Sequence, residues 1–216
     1  MEIVIAAFLI GSVGEILSER GFFVCIEGLD KSGKTTQSCL LVRDLYRRGF
    51  KSFYTTEPSR GEIGRFIRKH VLSRRKRVPA AVEALLFAAD RYDHSEREIK
   101  PMLKNGMIVV SDRYVYSSLA YQGAAGLDLD WIKKINKFSP VPDLAIYVDA
   151  PLEVLAKRIR SHSSVMERVR TQMMVRNVYL ELVRHGELIR VDGNRPINEV
   201  SKEILDLVLS RLKHEG

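Results

Sequence analysis

Five short runs rich in β-branched and aromatic residues alternate with helical stretches, and this alternation constrains the fold more than any other feature of the chain. The runs are FFVCIE (22–27), SFYTT (52–56), MIVVS (107–111), LAIYVD (144–149) and LIRVD (188–192). Helical patterns occupy 34–48, 62–72, 80–99, 115–122, 131–138, 152–161, 167–185 and 197–212. Near-continuous apolar strands separated by helices predict a parallel sheet of about five strands, covered by helices on both faces. Pro101 is expected to end the long third helix, and Pro140 and Pro142 to hold open the connection into the fourth strand. No repeat, low-complexity tract or linker divides the chain, so residues 1–216 read as one α/β domain. Residues 1–20 form an N-terminal extension: either an added edge element or, the favoured reading, a variable segment without catalytic duty.

Apolar residues make up 45% and charged residues 29%, the balance of a soluble globular chain. No segment reaches the roughly 20 apolar residues that cross a bilayer. The run Ile3 to Ile10 is shorter than that and has Glu2 beside it, so neither a membrane span nor a secretory signal is expected. Cys25 and Cys39 are expected to be buried and inert, and no cysteine–histidine cluster has zinc spacing. A reducing cytoplasm is the natural setting.

The net charge is +8, from 35 basic and 27 acidic residues. Such a surplus suits nucleic acid or several small-molecule phosphates equally. The densest basic run, RRKR at 74–77, has no interleaved aromatic residue. That argues against a single-strand stacking platform, and a solvated loop is the favoured reading over a contact surface. A nucleic-acid partner is not expected.

Directly after the first strand comes GLDKSGKTTQ (28–37), in which Gly28, Gly33, Lys34 and Thr35 complete G-x-x-x-x-G-K-[ST]. With a strand before it and a helix after it, this is a phosphate-binding P-loop. Glycines let backbone N–H groups turn inward, and the helix N-terminus adds partial positive charge. The stretch Gly28, Leu29, Asp30, Lys31, Ser32, Gly33, Lys34, Thr35 and Thr36 is therefore predicted to hold ATP. Lys34 would bridge the β- and γ-phosphates and Thr35 would offer its hydroxyl to Mg²⁺. A P-loop three-layer sandwich follows. A GTPase switch is excluded: SDRYV after the third strand lacks the glycine such a switch needs, and NKFS (136–139) carries Ser139 where guanine recognition wants an aspartate.

The acceptor side is less direct. SDRY (111–114) delivers Asp112 and Arg113 to the carboxyl edge of the sheet, where an aspartate can orient Mg²⁺ and an arginine can fork onto phosphate. TTEPSRGEIG (55–64) ends the second strand, with Glu57 and Pro58 setting a turn and Arg60 at the mouth of the next helix. FAADR places Phe87 and Arg91 on one helical face, a seat for a base or simply core packing.

Taken together, IEGLDKSGKTTQ, EPSRGEIG, LLFAADR, VVSDRYVYSSLAYQG, PDLAIYVDAP and YLEL resemble the thymidylate kinase family, from about Phe22 to the C-terminus. DRY followed by SSLAYQG is more specific than the P-loop. The resemblance implies transfer of phosphate from ATP to dTMP with Mg²⁺, a step in dTTP synthesis, by a cytoplasmic homodimer. It implies that Phe87 stacks on thymine, that Arg91 reaches its exocyclic oxygen, and that Ser118 and Gln122 line the base. Tyr121 falls where the family blocks a ribose 2′-hydroxyl, and Arg113 matches the acceptor-phosphate arginine. Arg60 competes with Ser59 and Gly61 for a further phosphate contact, beside Glu57 in the same loop. Asp30 would receive the 3′-hydroxyl of dTMP, which accounts for an acid inside a phosphate loop. Lys31 resembles the loop base of one subgroup, whereas the other draws that charge from a lid. Here KRIRSHSSVMERVR (157–170) supplies the lid candidates Arg158, Arg160, Arg168 and Arg170, so the two sources of charge stay open.

Overall fold

The computed structural model describes residues 20–73, 78–158 and 165–214. The N-terminal extension to residue 19, the RRKR run, the lid tip and Arg160 lie outside the described residues, as do the side chains of Arg158 and Arg168.

Strands β1 (Phe22–Glu27), β2 (Ser52–Thr56), β3 (Ile108–Asp112), β4 (Leu144–Asp149) and β5 (Ile189–Asp192) form one sheet in the order β2-β3-β1-β4-β5. Every pairing is parallel, with Val24 opposite both Val110 and Leu144. Successive side chains of a strand point to opposite faces, and β1 divides accordingly. Phe23 and Cys25 enter a core with Tyr114, Leu119, Val175 and Tyr179, under α5 (Val115–Ala124) and α8 (Val165–Arg184). Phe22, Val24 and Ile26 enter a second core with Leu41, Leu45, Ile204 and Val208, under α1 (Lys34–Arg47) and α9 (Ile197–His214). Both faces are thus covered, as the unbroken apolar runs predict.

The remaining helices are α2 (Glu62–Ile67), α3 (Ala80–His94), α4 (Lys100–Lys104), α6 (Leu129–Ile135) and α7 (Leu152–Arg158), with α4 at the amino edge, where the Leu103 carbonyl accepts from the Gly21 N–H at 2.9 Å. The expected helix at 62–72 is α2 followed by a π-helical turn, Arg68–Leu72. Pro101 does not end the third helix. A π-helical turn, Ser95–Ile99, follows α3, and Pro101 then sits in the first turn of α4, where its missing N–H costs least. The stop comes at Asn105 and Gly106, whose φ of 68° is left-handed. Cys25 is buried as expected, but Cys39 is exposed. The inward face of α1 is set by Ser38, Leu41 and Leu45, and position 39 points away from it. Among the described residues no helix is long and apolar enough to cross a membrane.

Candidate active site

The P-loop carries two left-handed residues, Lys31 (φ 68°) and Gly33 (φ 100°). Alternating backbone hand turns successive N–H groups toward one point, a concavity suited to an anion at the mouth of α1. Gly28 is required by space: a Cβ there would lie 2.9 Å from the carbonyl oxygen of Val148 and collide with Ser32 Oγ. Lys34 opens α1 and is 7% exposed. Burial, then the charge of Arg113, lowers its pKa to about 8, against the pull of Asp112, Asp30 and Glu27, while its ammonium reaches the Leu29 carbonyl at 3.5 Å.

Thr35 donates from Oγ1 to Asp112 Oδ2 at 2.5 Å, linking the loop to the end of β3. The other carboxylate oxygen, Asp112 Oδ1, is buried without a protein partner. A hydroxyl with spare lone pairs beside an orphaned carboxylate oxygen fits one hard cation whose remaining ligands are water and phosphate. No group of three or more His, Cys, Asp or Glu suited to a metal exists among the described residues.

Two cavities flank this loop. The first is walled by Asp30, Arg113, Phe87 and Tyr121, with Ser118 and Gln122 at its side. The second lies beyond Ser32, Gly33 and Thr36, against Gln37, Gly193 and Arg195 of the β5–α9 connection, and Ile197 at the start of α9. Asp30 therefore faces one compartment and the loop glycine the other.

In the first cavity Arg113 is the central cation. Its backbone is left-handed (φ 73°), a costly conformation for a side-chain-bearing residue and one that clusters at functional sites. Its Nη2 donates to Asp30 Oδ1 at 2.5 Å and its Nη1 to Ser117 Oγ at 3.0 Å, while the ring of Tyr121 lies 5.2 Å from the guanidinium. Gln122 donates from Nε2 to Glu83 Oε1 at 2.9 Å, which fixes the amide and leaves its carbonyl oxygen unpaired in the wall. Phe87 is half-buried there.

Other expected residues stand elsewhere. Arg91 lies behind the wall, 1% exposed, paired with Glu57 at 2.7 Å and donating to Asn136 Oδ1 at 2.6 Å. Its Nη2 also reaches Ser118 Oγ at 3.2 Å, so it touches the cavity through that hydroxyl. Glu57 is buried between Arg91 and His94 Nδ1. Arg60 is exposed, whereas its neighbour Ser59 is buried and held on both carboxylate oxygens of Asp90, each at 2.6 Å. Lys31 is exposed at the loop tip, and of the lid arginines Arg170 is exposed on α8. That helix is tied to the sheet at its base, where Arg176 donates twice to Asp149, at 2.8 Å each.

Sequence reasoning missed Glu27, Ser117, Glu83 and the Gln37–Arg195 cavity. A signal for Glu27 was present: it is the one charged residue in an otherwise apolar, fully buried strand.

The sequence profile of the thymidylate kinase family matches residues 26–204. A protein of Pyrococcus abyssi named probable thymidylate kinase is 42% identical over 204 residues, covering 91% of this chain and 98% of its own. Namesakes in Pyrococcus horikoshii (41%; 91% and 98% covered) and Caldivirga maquilingensis (39%; 88% and 95% covered) are similar to nearly the same extent. Matched by that profile over most of its length, and carrying the phosphate loop between two cavities, this chain belongs to the thymidylate kinase family.

Proposed function

We propose that the chain transfers the terminal phosphoryl group of ATP to the 5′-phosphate of dTMP, giving ADP and dTDP. The observation that carries this is the division of the P-loop between two compartments, with Asp30 and Arg113 toward one and Ser32, Gly33 and Thr36 toward the other. In this reading thymine lies on Phe87, its N3–H donates to the unpaired Gln122 oxygen, and Tyr121 stands against the sugar. Asp30 takes the 3′-hydroxyl, and adenosine occupies the compartment by Gln37 and Arg195.

The acceptor's second phosphate pKa is about 6, so near neutral pH it is already mostly dianionic and needs no strong base. What remains is positioning and charge. Arg113 offers its fork to the acceptor phosphate, Lys34 its ammonium to the donor phosphates, and Lys31 or the lid arginines the further charge. Mg²⁺, held by Thr35 and Asp112, would supply shielding between the two anions. A homodimer and a cytoplasmic setting belong to the same reading. The exposed Phe66, Leu72, Val82 and Leu85 on and beside α2 and α3 offer an apolar face to a second copy.

The test is a kinase assay with ATP and magnesium across dTMP, dUMP, dCMP and thymidine. The highest kcat/KM is expected with dTMP. Faster phosphorylation of thymidine, or of dCMP, would reject the assignment.

A further inference from the structure

Arg113 cannot be aimed by its own backbone at low cost, and the groups that hold it lead to a residue with no assigned part in phosphoryl transfer. Glu27 ends β1 at 0% exposure, immediately before the P-loop. Its Oε1 accepts from the backbone N–H of Tyr114 at 2.7 Å and of Ser117 at 3.1 Å. The N-cap residue of α5, Tyr114, supplies no side-chain cap, so Glu27 takes that part: it alone accepts from the Tyr114 N–H and shares the Ser117 N–H with the Tyr114 carbonyl, itself at 3.0 Å. Its Oε2 accepts from Ser117 Oγ at 2.6 Å and from the Tyr179 hydroxyl at 2.9 Å. Because the Ser117 proton is given to Glu27, the lone pairs of the same oxygen remain to accept from Arg113 Nη1.

We infer that Glu27 is a positioning residue for the acceptor phosphate: it caps α5 across the sheet and polarises Ser117 so that the Arg113 guanidinium is held toward Asp30 and the dTMP cavity. Two physical effects combine. The cap anchors residues 114 and 117 directly after position 113, whose own N–H donates to the Ile26 carbonyl beside Glu27 at 3.0 Å, and together these bonds hold the left-handed backbone at 113. The hydroxyl relay fixes one edge of the guanidinium and leaves Nη2 to Asp30 or an incoming phosphate. Burial pushes the Glu27 carboxyl up, and these four donors together with the Arg113 charge offset part of that cost. A neutral amide in its place would turn a donor on Ser117 and Tyr179, and the direction of the relay would be lost.

This inference rests on the dTMP kinase reading, and the experiment separates the two. Steady-state kinetics would be measured for wild type, Glu27→Gln, Ser117→Ala and Ser117→Thr, varying dTMP and ATP in turn, with thermal unfolding of each. Glu27→Gln is expected to lower kcat/KM for dTMP roughly tenfold or more, the scale of one lost hydrogen bond to a charged group, with KM for ATP unchanged within about twofold. Ser117→Ala should fall in the same direction, and Ser117→Thr, which keeps the hydroxyl, should recover most of that loss. A merely structural role at residue 27 would spread into the adjoining P-loop and raise KM for ATP equally; that outcome overturns the inference. So does a folded Glu27→Gln with wild-type kinetics. If Glu27→Gln fails to fold, the serine pair decides, and equal activity in Ala and Thr refutes the relay. Wild type inactive on dTMP sinks the reaction reading itself and this one with it.

Discussion

Replacing Arg91 by alanine should cost stability first and acceptor affinity second. Arg91 is 1% exposed and Glu57 4%, and their contact spans 2.7 Å, with a second bond from Nε at 2.8 Å. Breaking a buried pair from one side strands the other charge, at roughly 3–5 kcal/mol. In a chain of this size each kcal/mol shifts the melting midpoint by about 2–4 °C. A drop on the order of 6–20 °C is therefore expected for Arg91→Ala. His94 modulates it. Burial works against a charge on His94, but the hydrogen bond and charge of Glu57, then Glu98 and Asp90, raise its pKa above 6.5. A raised histidine contributes stability at low pH that is lost as pH climbs through the folded value. The penalty of Arg91→Ala should accordingly be smaller below pH 6.5, where His94 still offsets Glu57, and larger well above it. Thermal unfolding of Arg91→Ala, Glu57→Gln and the double variant closes a mutant cycle, and the double variant should be more stable than the sum of the singles. Strict additivity, or a midpoint for Arg91→Ala within about 2 °C of wild type, would refute the buried-pair account. Surviving protein should also show a raised KM for dTMP, and an unchanged value would remove Arg91 from base recognition.

Three further outcomes follow from the site. Lys34 loses its proton near pH 8, so kcat/KM for ATP should fall above that pH. Its folded pKa lies below the ordinary 10.5, so between the two values stability rises with pH, and unfolding is not the cause of the lost activity. Asp112→Asn, which weakens the partner of Thr35, should raise the magnesium concentration for half-maximal rate roughly 10-fold, read by metal titration at fixed ATP. Tyr121→Ala should lessen rejection of a ribonucleotide acceptor by about 10-fold in relative kcat/KM, and preserved discrimination would remove that role.

The sheet was legible because each strand is a contiguous apolar run, and the P-loop because its glycines, Lys34 and Thr35 are neighbours in sequence. Only β3 and the start of β5 moved, each by one residue: β3 runs to Asp112, so that carboxylate is fixed by strand pairing rather than carried on a loop. What stayed hidden depends on distant partners. Glu27 and Tyr179 meet across 152 positions, and Arg91 meets Asn136 across 45. No spacing rule reports such pairs. Pro101 misled because a proline's effect depends on the turn it enters, and here a π-helical turn places it where no donor is needed. Cys39 misled because helical phase, not composition, decides which side of α1 it occupies. Arg60 remained one choice among three since nothing local in EPSRGEIG shows that Ser59 is already committed to Asp90.

A crystal structure of the chain with dTMP and ADP together examines the two-compartment account most directly. The account predicts thymine in contact with the Phe87 ring, the acceptor phosphate within hydrogen-bond reach of Arg113, and ADP beyond Gly33 with its β-phosphate at Lys34. Thymine remote from residue 87, or both nucleotides competing for a single cavity, would contradict it.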